Sequence, residues 1–127
     1  MSDTLTTIHD LLALVCAPDG DKVKSEREAL DLIGEALSSG AELVLVPVER
    51  LPEAFFQLKT GLAGQILQKF VLYQRRLVIF GDISHHLTQS RALRDFVHET
   101  NRGHQVWFVM NLQELDERLK RPQEQDR

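Results

Sequence analysis

Residues 60–80 read TGLAGQILQKFVLYQRRLVIF, a helical pattern that leads directly into a short run of large apolar residues. In the first part the apolar side chains recur three and four residues apart, which is the spacing of one buried helix face. The last four residues do not alternate with polar ones, as is typical of a strand buried on both faces of a parallel sheet. A helix followed at once by such a strand predicts an α/β fold built from βαβ units.

Similar apolar runs occur three more times, at Leu11–Cys16, Leu43–Val46 and Val106–Met110. Together with Leu77–Phe80 they predict four strands, most of them parallel. The segment Thr4–Asp10 predicts a fifth strand at the edge of the sheet, joined by a tight turn to the strand that follows and antiparallel to it.

Helical patterns with recognisable ends separate these runs. Ser25 and Glu28 have the spacing of a capping box, and Gly40 tolerates the left-handed conformation that ends a helix. The other helices are predicted from about Thr60 to Arg75, from about Thr88 to Asn101 and from Asn111 to just before Pro122. We therefore predict a single compact α/β domain at residues 1–121, with a four- to five-stranded mostly parallel sheet, about four helices and a polar tail at residues 122–127.

The composition narrows the class of protein. The 127 residues carry a formal net charge of -4, which argues against a nucleic-acid-binding protein, because such proteins present a basic surface. Cys16 is the only cysteine, so the sequence contains no intramolecular disulfide. No apolar run approaches the roughly 18 residues that cross a bilayer, and the first residues lack the basic segment of a secretion signal. We expect a cytoplasmic protein that does not enter a membrane.

Ligands of open α/β sheets usually bind beyond the carboxyl ends of the strands. In this chain the rule selects residues 47–50 with the approach to Thr60, residues 81–86, and Asn111. At residues 60–64 the exposed amides of a helix start favour an anion, such as a phosphate or a carboxylate. The alternative is that the small residues of this segment, Gly61 and Gly64 among them, only let the helix pack closely on the sheet.

Asp82, Ser84, His85 and His86 form a second candidate cluster. They are interpreted either as an acid–base or metal-binding group, or as a turn in which Asp82 accepts hydrogen bonds from nearby amides and both histidines are exposed loop residues. The sequence supplies no further His or Cys at this edge to complete a metal site. We therefore predict no metal, no cofactor and no catalytic residue.

The adjacent aromatics Phe55 and Phe56 follow Pro52 in a predicted loop. Two neighbouring side chains cannot both turn inward easily, so we expect one to cover the edge of the core. The other is then available to a partner surface or a dimer contact.

Three motifs carry a resemblance to a known family. They are FFxLxTGLAGxILQKF at residues 55–70, Gly81-Asp82, and LRDFxxExNRG at residues 93–103. On these motifs the chain, from about Ala29 to Leu119, resembles the bacterial family called domain of unknown function 4180. The resemblance implies a small cytoplasmic bacterial protein and brings no assigned activity.

A more distant likeness is to the STAS layout (sulfate transporters and anti-sigma-factor antagonists). It is carried by the strand Leu43–Val46, the helix start Lys59–Leu62, the segment Leu77–Gly81 and the closing helix Asn111–Leu119. STAS domains bind partner proteins, and many carry a phosphorylatable Ser or Thr at the matching helix start. The resemblance implies Thr60 as the phosphoacceptor. Lys59 stands where that motif has Ser or Thr, and the Asp of the motif is absent.

Three hypotheses of function remain open. The first is a non-enzymatic, STAS-like regulatory or interaction domain that contacts a protein partner through Thr60, Gly61 and the loop 82–86. The second is a small-molecule binder or enzyme in which the helix start holds an anionic group and His85 or His86 moves protons. The third is a homodimer in which all of these residues are structural.

Overall fold

A computed structural model of the protein, which describes residues 3–120, places five strands in one sheet in the order in which they occur along the chain. The strands are β1 (Thr4–Ile8), β2 (Leu11–Val15), β3 (Leu43–Pro47), β4 (Arg76–Phe80) and β5 (Val106–Val109). β1 and β2 are antiparallel, and every other neighbouring pair is parallel. The predicted fold class and the antiparallel edge strand are both confirmed.

The turn between β1 and β2 consists of two residues with positive φ, His9 at 50° and Asp10 at 67°. Two successive residues of this kind are typical of the two-residue turn whose twist matches that of a hairpin. Asp tolerates this conformation better than most residues that carry a side chain. The tight turn predicted from the sequence is therefore present.

Five helices are found among the described residues, whereas about four were predicted. They are α1 (Glu26–Ser39), α2 (Leu62–Leu72), α3 (Ser84–Gln89), α4 (Arg91–Asn101) and α5 (Leu112–Lys120). The additional helix is α3, which occupies part of the segment that we had predicted to be a loop. Three short 3-10 turns, at Val48–Arg50, Glu53–Phe56 and Leu58–Thr60, connect β3 to α2. The predicted tail lies outside the described residues.

The chain order of the sheet explains how the helices are distributed. Parallel crossovers are right-handed as a rule, and the strands advance in one direction across the sheet, so the connecting helices are expected on one common face. Side chains of α1, α2 and α4 form one core cluster with alternate strand residues, such as Val44 and Val46. The intervening residues, such as Leu43 and Leu45, belong to a second cluster with Leu115 of α5. Helix α5 therefore covers the face that the crossovers leave open.

Two residues in the C-terminal half of α5, Asp116 and Arg118, attach the helix to other elements. The Arg118 guanidinium lies 4.0 Å from the centre of the Trp107 ring on β5, and Arg118 also donates a hydrogen bond of 2.8 Å to the carbonyl oxygen of Asn101. Elsewhere on the helix, Asp116 contacts the His9 ring in the β1–β2 turn, with 2.6 Å between Oδ1 and Nε2. The helix therefore reaches from the last strand to the hairpin at the opposite edge.

Polar residues define the start of α1 in a modified form of the predicted capping box. The Ser25 hydroxyl oxygen accepts a hydrogen bond of 3.2 Å from the Arg27 amide, while its proton is donated to the Glu28 carboxylate. This donated hydrogen bond holds the pKa of Glu28 below its usual value. Gly40 ends the helix in the left-handed conformation, with φ 81°, as predicted.

Candidate functional site

The connector between β3 and α2 carries the first half of the candidate site. Phe55 is fully buried and Phe56 is 6% exposed, so the expectation that the two rings cannot both turn inward is wrong. Because the 3-10 turn Glu53–Phe56 rotates successive side chains by about a third of a turn, both rings reach the protein interior. Their centres are 5.1 Å apart in an edge-to-face arrangement. The connector is thus anchored to the core by two aromatic rings.

Thr60 holds the end of this connector together. Its Oγ1 lies 2.8 Å from the carbonyl oxygens of both Ala54 and Gln57, and the single hydroxyl proton is donated to these acceptors. The same oxygen accepts a hydrogen bond of 3.2 Å from the Leu62 amide at the first turn of α2. Thr60 is exposed to solvent and links two 3-10 turns to the helix that follows them.

The two glycines beside Thr60 differ in what they contribute. Gly61 has φ 80°, and this left-handed residue redirects the chain from the last 3-10 turn into α2. Gly64 lies on the exposed side of α2, and a Cβ atom added there would meet no other atom within 4 Å. Gly64 therefore makes no close approach to the sheet; Ala63 is the small residue that is buried.

The second half of the candidate site is the start of α3. The Asp82 carboxylate accepts a hydrogen bond of 2.9 Å from the Ser84 amide, and hydrogen bonds from the side chain and backbone of Ser84 hold the pKa of Asp82 below its usual value. This geometry agrees with the interpretation of Asp82 as an acceptor for local amides. The segment after Asp82 is helical where an irregular loop was expected.

One contact brings the two halves of the site together. The His86 ring lies parallel to the Phe56 ring, with 4.0 Å between their centres and 6° between their planes. The neighbouring His85 ring is 5.7 Å from that of His86, and its Nε2 lies 3.4 Å from the Gln89 side-chain nitrogen. Of the two adjacent histidines, it is His86 that joins α3 to the connector.

Between the connector and helices α3 and α4 lies an open groove of about 440 Å³, which we call the connector groove. It is lined by Glu53, Phe56, Gln57, Leu58, Lys59, His86, Gln89, Ser90 and Ala92. Of the seven site residues selected from the sequence, the structure brings His86 into this lining. Thr60 and Gly61 follow the lining residues 57–59 in the chain, whereas Asp82, Ser84 and His85 lie at or before the start of α3.

A separate pocket of about 200 Å³, the strand-end pocket, opens beyond the carboxyl ends of β4 and β5. It is lined by Ile79, Gly81, Ile83, Ser84, Leu87, Val97, Asn101, Phe108, Val109, Met110 and Glu114. The location agrees with the rule for parallel sheets. Ser84 is the one residue it shares with the site selected from the sequence.

Comparison with protein-family models gives one match. The model described as Domain of unknown function (DUF4180) matches residues 9–119. The chain belongs to this family. Neither the curated proteins nor the solved structures contain a match to this family member.

The sequence analysis did not predict the role of the Asn101 side chain, which forms hydrogen bonds with the last strand. The Asn101 side chain accepts a hydrogen bond of 2.6 Å from the Phe108 amide and donates one of 3.2 Å to the Phe108 carbonyl oxygen. It therefore pairs with edge strand β5 as a neighbouring strand would. The sequence analysis placed Asn101 at the end of a predicted helix, and its pairing with β5 is a tertiary contact that leaves no local pattern.

The burial of Arg50 was not predicted, although the residue lies in the segment 47–50 that was selected from the sequence. Its side chain is 6% exposed and donates hydrogen bonds to the carbonyl oxygens of Ala17 and Asp21 and to the Asp3 carboxylate. Gly20 lies so close that a Cβ atom there would be 2.6 Å from a guanidinium nitrogen. These hydrogen bonds from Arg50 stabilise the loop that follows β2.

No group of three or more His, Cys, Asp or Glu side chains is placed to hold a metal ion within residues 3–120. Over the same part of the chain, no helix has the length and apolar character to cross a bilayer.

Burial raises the pKa of the Cys16 thiol to about 12. The thiol of this strand-end residue is thus held in its unreactive, protonated form.

Proposed function

We propose that this DUF4180 family member is a non-enzymatic, STAS-like regulatory domain of the bacterial cytoplasm that binds a partner protein in the connector groove. The observation that carries the proposal is the stacking of His86 on Phe56. This contact joins two segments that are distant in the sequence into one surface. A STAS-like assignment is supported by the four segments that carry the resemblance, since they form β3, the start of α2, β4 and α5.

The lining of the connector groove suits a segment of polypeptide. Leu58 and Ala92 provide apolar contacts, Gln57 and Gln89 provide amides that both donate and accept hydrogen bonds, and Lys59 provides a positive charge. The groove has a volume of about 440 Å³ and is open to solvent, and extended peptide segments dock in surface grooves of this kind. We infer that an extended segment of the partner lies between the connector and α3.

Thr60 is the proposed switch of this surface. A phosphate on Oγ1 replaces the hydroxyl proton that is donated to Ala54 and Gln57, and it adds up to two negative charges. The wall formed by residues 57–59 then loses the hydrogen bonds that fix its last turn. We expect Thr60→Glu to weaken partner binding, and Thr60→Val, which removes the donated proton without adding charge, to reproduce part of the effect. If both variants bind the partner as the wild type does, the switch is refuted.

Site-specific photo-cross-linking in the native bacterium tests the proposed surface. A photoreactive residue replaces Gln57, which lines the groove, or Asp31, which is exposed on α1, as the matched control. We expect one partner to be captured from position 57 and not from position 31. A cross-link at position 57 to a second copy of this chain would indicate a homodimer, and equal capture from both positions would contradict the proposal.

A further inference from the structure

The strand-end pocket lies apart from the connector groove and has a different chemistry. Its walls are formed by large apolar side chains: Ile79, Ile83, Leu87, Val97, Phe108 and Met110. Ile79, Ile83, Val97 and Phe108 are buried against the core, yet a volume of about 200 Å³ remains between them. An apolar cavity of about 150 Å³ is large enough to hold benzene. The pocket therefore accommodates an apolar body the size of a benzene ring.

The polar side chains of the lining select the rest of the ligand. Both ends of the Asn101 amide are engaged by the Phe108 backbone. The Ser84 amide donates a hydrogen bond of 2.9 Å to Asp82, and the Ser84 hydroxyl oxygen can accept one from a ligand. One Glu114 oxygen accepts a hydrogen bond of 2.7 Å from the Met110 amide, and a carboxylate has further acceptor positions. The side chains of the lining thus offer acceptors and a negative charge to a ligand.

We propose that the strand-end pocket binds a small organic cation, a primary amine attached to an aromatic or branched aliphatic body. The apolar body lies against Val97 and Phe108, and the ammonium group donates hydrogen bonds to Glu114 and Ser84. This ligand is opposite in charge to the anion that the helix start at Thr60 had suggested. The inference does not depend on the partner protein of the connector groove, because the two sites have no lining residue in common.

Amide NMR titrations of the full chain with benzylamine, benzyl alcohol and benzoate test this proposal. The three probes share a ring and differ in the charge of the polar group. We expect benzylamine to shift the Gly81 and Val109 amides in a saturable way, with a dissociation constant at least about tenfold lower than that of benzoate. We expect the amides of Gln57 and Lys59 in the connector groove to stay in place.

Two variants test whether the charge of Glu114, rather than the shape of the pocket, produces the preference for the amine. Glu114→Gln keeps an oxygen that accepts from the Met110 amide and removes the charge, so we expect it to abolish the preference for benzylamine over benzyl alcohol. Glu117→Gln makes the same change three residues further along α5, outside the pocket lining, and is expected to keep the preference. The proposal is overturned if no probe saturates, if benzoate binds as tightly as benzylamine, or if Glu114→Gln leaves the preference unchanged.

Discussion

Gly81 shows how strongly one residue at the end of a strand can be constrained. Its φ is 139°, and a Cβ atom there would lie 2.5 Å from a methyl carbon of Val48. We expect Gly81→Ala to lower the free energy of unfolding by about 2 kcal/mol or more, because backbone strain and overpacking each cost on the order of 1–3 kcal/mol. Chemical denaturation measures the change.

Gly64 provides the matched control for that substitution. A Cβ atom there meets open space on an exposed helix side, and Ala is favoured over Gly in helices by about 0.5–1 kcal/mol. Gly64→Ala is therefore expected to leave stability unchanged or to raise it. A destabilisation equal to that of Gly81→Ala would show that the two glycines are not distinguished by their surroundings.

Burial is expected to lower the reactivity of Cys16, the only cysteine in the sequence. Cys16 is 1% exposed, and desolvation raises the pKa of its thiol to about 12. The thiolate is the reactive form, and the usual pKa of a cysteine is about 8.5. At pH 8 we expect labelling by iodoacetamide to be about 1,000-fold slower in the folded protein than in urea. Comparable rates in both states would mean that the thiol is accessible in the fold.

Among the helices, α5 covers the face of the sheet opposite α1, α2 and α4. Leu115 is fully buried beneath it, whereas Leu112 on the same helix is 44% exposed. Replacing a buried Leu by Ala costs about 2–5 kcal/mol, so we expect Leu115→Ala to lower the melting temperature strongly. Leu112→Ala is expected to change the free energy of unfolding by less than about 1 kcal/mol. Equal effects would contradict the packing of α5 on the sheet.

Strands β2 to β5 were predictable from sequence because each is a short apolar run, and the burial of β3 throughout matches the pattern of Leu43–Val46. The helix boundaries were less predictable. Helix α2 begins at Leu62, two residues after the predicted start, because Thr60 belongs to a 3-10 turn and Gly61 is left-handed. Helix α3 is six residues long, too short to show a helical repeat in the sequence.

The candidate site was predictable only in part, because it depends on a contact between distant residues. The sequence pointed separately to Thr60 and to residues 82–86, and the rule for strand ends selected the edge of the sheet at which the strand-end pocket lies. The stacking of His86 on Phe56 joins positions 30 residues apart and leaves no local pattern. The pairing of Asn101 with the edge strand is likewise a tertiary contact.

Across the whole molecule, acid is expected to destabilise the fold through Glu28. Its pKa is lowered in the folded protein by the hydrogen bond from Ser25. The stability that this hydrogen bond contributes is therefore fully present above the pKa of Glu28 in the unfolded chain, about 4.3. It is lost as the pH falls through the lower pKa that Glu28 has in the folded protein. We expect Glu28→Gln to melt below the wild type at pH 7 and the difference to narrow below about pH 4. Glu35→Gln, exposed on the same helix, is the control; an unchanged difference at every pH would exclude this role of Glu28.

Calorimetry tests the connector groove most directly. It measures the affinity of the partner captured from position 57 for the wild type, His86→Ala and His85→Ala. His86 stacks on Phe56 and lines the groove, whereas His85 is adjacent in the chain and lies outside the lining. Residues central to an interface typically contribute about 2 kcal/mol or more, so we predict a loss of at least about 30-fold for His86→Ala and an affinity near wild type for His85→Ala. Equal affinities for all three proteins would contradict the account.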